Sequence, residues 1–395
     1  KPSVAEPFEG GVVRTWLCEK FGDLAIPFCS SPEAGSAAEA RAGEEPSGKA
    51  QDPALAHKSL KELTASEEVA GAGAPPIALV FLSSRDVRVF HVVDQLSRWS
   101  EFCHPAYRES FGPFTDEEEA MLERHALLRQ REYPLITGQG QSNGWQSLFE
   151  GLFYTSESAE KAADANVSLN NLSDDEAREE LAILDYFGAK LGPWLDGEEA
   201  RMSAVEEKIE ASLASHRPKI ERLMRFFGVA YLKPIPTVLV PSPSSDSVGG
   251  GMNSGVMTIE VPIGRDVTTT LLHELVHALM GHLGKEIAAA ANSADFLDPE
   301  TLEEGIAHAI APGLLGREGG AGTLERRVER MQGEGRTLGD PYLRFHLLGL
   351  KLMPHLERAL RGEGSIRDFL KTAASVWNEI PREEHAQAAV PQDGD

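Results

Sequence analysis

Residues 269–284 read TTLLHELVHALMGHLG. Leu271, Leu272, Leu275, Val276 and Leu279 make this one of the most apolar stretches of the chain, so it belongs in an interior. Yet it carries His273, Glu274 and His277 in the order H-E-x-x-H, with His282 just beyond. On a helix, positions i and i+4 lie one above the other, and His273 and His277 then present two imidazoles to one point. Imidazoles facing a dry interior need a partner, and a zinc ion is the simplest one. Glu274 lies about 100° further around the helix, beside such an ion rather than on it. There its carboxylate is placed to take a proton from an activated water.

Catalytic zinc usually takes three protein ligands and keeps one position for water, so a third ligand must come from elsewhere. His282 would point about 140° away from His277 on a continued helix and is expected at the surface or behind the ligands. The stretch DPETLEEGIAHAIAPGLL offers a better source. Residues 299–311 have helical character, opened by Pro299 and Glu300. Glu304 facing back towards the imidazoles completes a two-histidine, one-glutamate site, and Glu303 is its rival, because neighbours on a helix cannot both face the metal. Gly305 and Ala307 are small enough to bring two helices close. His308, one turn beyond Glu304, is a candidate hydrogen-bond support for a ligand, as are Asp295 and Asp298.

With these residues the chain resembles the gluzincin metallopeptidases, in which H-E-x-x-H is followed by a helix bearing the third ligand, often as N-E-G-x-A. EEGIAHA is similar to that form. The resemblance spans about residues 235–350 and implies a zincin-like catalytic domain. It further implies Zn2+ on His273, His277 and Glu304, Glu274 as general base, and a peptide or protein substrate. Twenty-six residues separate His277 from Glu304, more than in the best-known gluzincins, and GKEIAAAANSADFLDP is expected to form the loop that absorbs them. Gluzincins use a Tyr or His to hold the oxyanion. Tyr342 and His346, i and i+4 on the next strong helix, are the candidates for that role. VMTIEV, at Val256–Val261, is expected to be the edge strand that pairs with an extended substrate. GGGMNSG before it is similar to the G-A-M-E-N loop of gluzincin aminopeptidases but lacks its glutamate, which favours an endopeptidase. The alternative is a zincin-fold binding or scaffold protein whose site has lost its activity.

The rest of the chain reads as α+β and mostly helical. Residues 1–75 comprise a short segment with Cys18 and Cys29, which a disulfide would join in an oxidising compartment, and a tether rich in Ala, Glu, Gly, Ser and Pro with one short helix near residues 55–63. Residues 76–230 form a mainly helical domain with one or two short strands, and 231–395 the metallopeptidase domain. Two long helices are expected over 174–192 and 197–227, the second kinked or broken at Pro218. A strand is expected at Thr237–Val240, and Gly284 is expected to end the H-E-x-x-H helix. The formal net charge of −24 argues against nucleic acid as a partner. No run approaches the eighteen or so apolar residues of a membrane span. Acidity, the tether and a first residue other than Met favour a secreted or periplasmic location over a cytoplasmic one. Oligomeric state is left open.

Overall fold

The computed structural model describes residues 77–380 except 83, 101–102, 135–140, 143–146, 231, 233, 245–248, 254–255 and 317–319. The expected tether, its short helix and the Cys18–Cys29 pair lie outside the described residues. The remainder is mostly helical with a small mixed sheet, in agreement with the α+β reading. No helix among the described residues is long and apolar enough to cross a membrane.

The sheet is assembled from both halves of the chain. Strand β1 (Leu79–Phe81) is followed by helices α1 (Arg85–Ser97), α2 (Pro105–Phe111) and α3 (Asp116–Arg129). A two-stranded ribbon, β2 (Tyr133–Pro134) with β3 (Gln141–Ser142), leads to α4 (Leu148–Thr155), α5 (Ala159–Asn170) and α6 (Asp174–Phe227). Then come β4 (Ile235–Pro241), β5 (Gly250–Asn253) and β6 (Val256–Val261). The spatial order is β1-β4-β6-β5, with β1, β4 and β6 parallel and β5 antiparallel to β6. A boundary near residue 230 therefore divides the sequence but not the sheet, because β1 pairs with β4 across it. VMTIEV is not an edge strand: it lies between β4 and β5, and the edge is the glycine-rich β5.

Both faces of the sheet are covered, which is why β4 and β6 are buried at every position. Side chains alternate across the pleat. Val238, Val240 and Val256 join the core formed with α1 and the other upstream helices, around Phe90, Phe149 and Phe187. Leu239, Met257, Ile259 and Val261 join the opposite core with the H-E-x-x-H helix and everything downstream.

Helix α6 is one element of 54 residues, about 80 Å long at 1.5 Å per residue, rather than two. Pro193 and Pro218 both lie inside it. Each removes a backbone donor and strains the turn by about 3 kcal/mol, but burial on both sides offsets this. Leu184, Phe187, Leu191 and Leu195 pack in the upstream core, and Met202, Ile209, Ile220, Leu223 and Phe227 in the downstream one. Near Pro193 the Arg85 guanidinium crosses the helix at Gly192, where a side chain would collide with it, and donates to the Gly188 carbonyl at 3.2 Å.

Downstream lie α7 (Thr268–Met280), a 3-10 turn (Gly281–Leu283) and α8 (Gly284–Ala291). Gly284 thus begins a helix instead of ending one, and most of the expected loop is helical. Next are α9 (Pro299–His308), a wide turn (Ala309–Leu314), α10 (Gly320–Gly333), α11 (Pro341–Leu360) and α12 (Ile366–Asn378). Helices α9 and α11 approach through two glycines. A Cβ on Gly305 would lie 2.7 Å from Leu348, and one on Gly349 would lie 2.8 Å from the His308 Cβ and 3.0 Å from the Gly305 carbonyl. The small residue Gly305 therefore serves α11, not the H-E-x-x-H helix. Gly349→Ala puts a methyl against backbone that cannot yield easily. Overpacking of this kind is expected to destabilise by about 1–3 kcal/mol, read from urea denaturation of the variant and the parent.

A buried polar network fills the upstream layer. Arg129 donates from Nε to Asp94 Oδ1 at 2.6 Å and faces Glu150 at 3.4 Å. His125 bridges Asp94 Oδ1 at 2.9 Å and Glu180 Oε1 at 2.8 Å. Burial alone would raise Asp94, but Arg129 and His125 hold it down to about 2. Burial alone would lower His125, but Glu180 and Asp94 lift it to about 9. Glu260 on β6 joins this layer to the sheet, accepting from Tyr107 Oη at 2.9 Å and lying 3.1 Å from His91 Nε2. Asn166 is buried on α5 and donates to the Ala162 carbonyl at 3.0 Å.

Candidate metal centre

Helix α7 lacks a side-chain cap at its first residue, but Asp266 accepts from the Thr268 amide at 2.9 Å just ahead of it. Leu271, Leu272, Leu275, Val276, Leu279 and Met280 are all buried. Their burial fixes the rotation of the helix and leaves His273 and His277 on the face turned towards α9. Helix α9 starts where Asp298 accepts from the Thr301 amide at 2.7 Å and Pro299 occupies the first turn. Asp298 is therefore a helix cap. Asp295 is exposed and touches α12, its amide donating to Asn378 and its carbonyl accepting from Trp377 Nε1. Neither aspartate orients an imidazole.

His273 Nε2 lies 3.2 Å from His277 Nε2 and 3.2 Å from Glu304 Oε2, and His277 Nε2 lies 3.3 Å from Glu304 Oε1. The outer nitrogens are held by oxygen. His273 Nδ1 donates to the Ala311 carbonyl at 3.1 Å, and His277 Nδ1 donates to Glu303 Oε1 at 2.9 Å. Ala311 is available because the wide turn at Pro312 leaves it in extended conformation, φ −136° and ψ 112°, which aims its carbonyl at the imidazole. Glu303 and Glu304 thus both serve the histidine pair, on different nitrogens: Glu304 faces inward, and Glu303 braces His277 from behind.

With both Nδ1 atoms committed as donors, both Nε2 atoms present lone pairs. The two Nε2 atoms then face each other and one Glu304 oxygen each, every contact within 3.3 Å, and these acceptors repel unless a positive charge joins them. The electrostatics agree. Burial opposes charge on His273 and His277, but Glu304 overrides it and raises both above the ordinary histidine value. Burial would raise Glu304, yet His277 and His273 hold it well below the usual carboxylate range.

Glu274 is buried, and burial lifts its carboxyl above the ordinary value. It lies under the edge strand: a Cβ on Gly250 would come 3.0 Å from Glu274 Oε1 and 2.8 Å from Thr270 Cγ2. Glycine at the start of β5 is what lets the strand pass over this carboxylate. His282 is exposed in the 3-10 turn, as expected.

His308 and His346 extend the cluster. The His308 ring centroid lies 4.6 Å from that of His273 and 4.0 Å from that of His346. Burial, reinforced by its neighbours, holds His308 well below the usual histidine value. Burial likewise pushes His346 down to about 4, and its Nδ1 donates to the Tyr342 carbonyl at 2.7 Å. His346 is therefore neutral with a lone pair on Nε2, and the oxyanion-donor role expected of it lacks its proton. Tyr342, one turn earlier, is exposed, with its ring near Phe345. The Ala311 carbonyl, the bracing role of Glu303 and the fit of Gly250 over Glu274 escaped the sequence reading. The paired glutamates and Pro312 were the only local signals.

No protein-family model, no curated protein and no solved structure matches this chain.

Proposed function

We propose that the chain is a zinc-dependent peptidase, with His273, His277 and Glu304 holding the ion. The observation that carries this reading is the inward convergence of three side chains, the two Nε2 atoms 3.2 Å apart and each 3.2–3.3 Å from one oxygen of Glu304. A tetrahedral zinc about 2.0–2.1 Å from each donor sets neighbouring donors about 3.3–3.4 Å apart, so the donor set fits in both chemistry and spacing. When bound, zinc supplies a Lewis acid that acidifies water and polarises a carbonyl.

The chain's own residues do the rest. Glu274, adjacent to His273 yet turned off the ligand face, accepts the proton of the attacking water and returns it to the leaving amine. Its raised pKa brings it nearer the working range of a base and acid. Ala311 and Glu303 hold the two imidazoles in the tautomer a ligand needs. Of the two oxyanion candidates, Tyr342 is the one that keeps a donor hydroxyl. Strand β5 pairs with β6 on one side only among the described residues. Its other edge supports antiparallel pairing with an extended peptide directly beside Glu274.

The test is digestion of a mixed pool of unstructured peptides by the zinc-loaded full chain, read by mass spectrometry. New internal fragments that vanish on chelation are expected. A pool left intact by the zinc-loaded chain contradicts peptidase activity and favours a binding protein. Glu303→Gln is expected to weaken zinc binding by about 10–100-fold, as loss of a bracing partner does, measured by competition with a chromophoric chelator.

A further inference from the structure

Helix α10 packs against the wide turn and against α11, the elements that carry Ala311 and His346. Leu324, Val328 and Met331 bind it to the downstream core. Arg327 lies about 60° around the helix from Leu324, on the margin of that buried stripe, and its side chain reaches solvent. The rings of His273, His308 and His346 run outward from the centre, with successive centroids 4.6 and 4.0 Å apart. Burial does most to hold His308 and His346 below the ordinary histidine value, and the Arg327 cation adds to it at both rings. The guanidinium therefore stands near the outer end of this row of imidazoles.

What it lacks is an anion. Arg330, one turn on, pairs with Glu334 at 3.7 Å, and Arg326 reaches Thr323 Oγ1 at 3.4 Å. Three and four residues from Arg327 the helix offers Thr323, Leu324, Arg330 and Met331, so no carboxylate stands where a helical neighbour could pair with it. Among the described residues Arg327 forms no ion pair and no side-chain hydrogen bond. Burial and the Arg330 cation hold it below the ordinary arginine value, the condition of a guanidinium with no anion beside it. The chain has 62 acidic residues against 38 basic ones, so carboxylates are plentiful, yet none is placed here.

We propose that Arg327 binds a carboxylate of the substrate and so selects peptides that present one beside the metal centre. This rests on the peptidase reading above and deepens it. A planar guanidinium receives a carboxylate through two parallel N–H···O bonds. The group comes from the peptide C-terminus or from an Asp or Glu side chain, which offer the same chemistry.

The test uses the full zinc-loaded chain carrying Glu274→Gln, so that bound peptide is not consumed. A pool of unstructured peptides free of Asp and Glu is made with free C-termini, again as C-terminal amides, and again as amides with Glu in place of Gln. Retention of each form is measured by mass spectrometry for this parent, for Arg327→Gln and Arg327→Lys, and for Arg326→Gln as a control. At least one carboxylate form is expected to bind about tenfold or more tightly than the neutral amides, the usual worth of a hydrogen bond to a charged group. That advantage should vanish in Arg327→Gln, shrink in Arg327→Lys and persist in Arg326→Gln. Neutral amides should bind all four chains equally, which also shows that the variants fold. Preference for free C-termini assigns the terminal carboxylate, and preference for the Glu form assigns the side chain. Equal retention of the three forms by the parent, or a preference that survives in Arg327→Gln, overturns the proposal. Selective binding without hydrolysis once Glu274 is restored contradicts the peptidase reading and leaves the carboxylate site standing.

Discussion

Glu274→Gln is expected to retain zinc at wild-type affinity while peptide hydrolysis falls by about 10²–10⁴-fold, the usual contribution of a positioned general base. The two halves of this expectation have separate causes. Affinity is kept because Glu274 is not among the inward trio, whose spacing involves His273, His277 and Glu304 alone. Activity is lost because an amide cannot accept the proton. Glutamine also fits the space beneath Gly250, where the carboxylate is already tightly packed. Burial disfavours the ionised form of Glu274, so the neutral replacement is expected to unfold no sooner than the parent. Steady-state kcat/KM on a cleaved peptide, with a zinc titration and a thermal melt of the same sample, checks all three points. Undiminished hydrolysis would mean that another group handles the proton.

The largest loss of stability is expected far from the centre, at Asp94. Its carboxylate is fully enclosed between Arg129 and His125. Asp94→Ala strips both cations of the carboxylate they share in a dry interior. Removing one partner of a buried pair typically destabilises by about 3–5 kcal/mol, measured here by urea denaturation near pH 6. The same network sets a pH dependence. His125 is raised from 6.5 to about 9, so its contribution is complete below pH 6.5 and is lost as pH climbs through about 9. Asp94 is lowered from 3.8 to about 2, so its contribution is present above pH 3.8 and is lost as pH falls through about 2. The contribution of the pair is therefore fullest between about pH 4 and 6.5, and wild type should weaken on the alkaline side. His125→Gln should flatten that alkaline slope.

What was legible in the sequence was local. The i, i+4 spacing of His273 and His277 and the apolar residues around them fix a helix and its ligand face without any tertiary knowledge. Glu304 was legible as a position on the following helix, but its choice over Glu303 was not. That choice depends on how α9 rotates against α7, and the structure uses both residues. Sheet order was illegible for a similar reason. VMTIEV reads as the edge strand and GGGMNSG as a loop, and only the pairing of β6 with both β4 and β5 shows that the glycine-rich segment holds the edge. Helix α6 was misread because Gly192, Pro193 and Gly197 are local breakers, whereas two separate cores hold the helix continuous across them. The His346 tautomer depended on a backbone carbonyl one turn away, which no spacing rule reveals.

The most direct measurement is the metal content of purified protein after exposure to zinc and exhaustive dialysis, for wild type, Glu274→Gln and Glu304→Ala. One zinc per chain in the first two, and its loss in Glu304→Ala with the fold intact by circular dichroism, is the expected result. Equal zinc in wild type and Glu304→Ala, or none in wild type, would contradict a centre built on His273, His277 and Glu304.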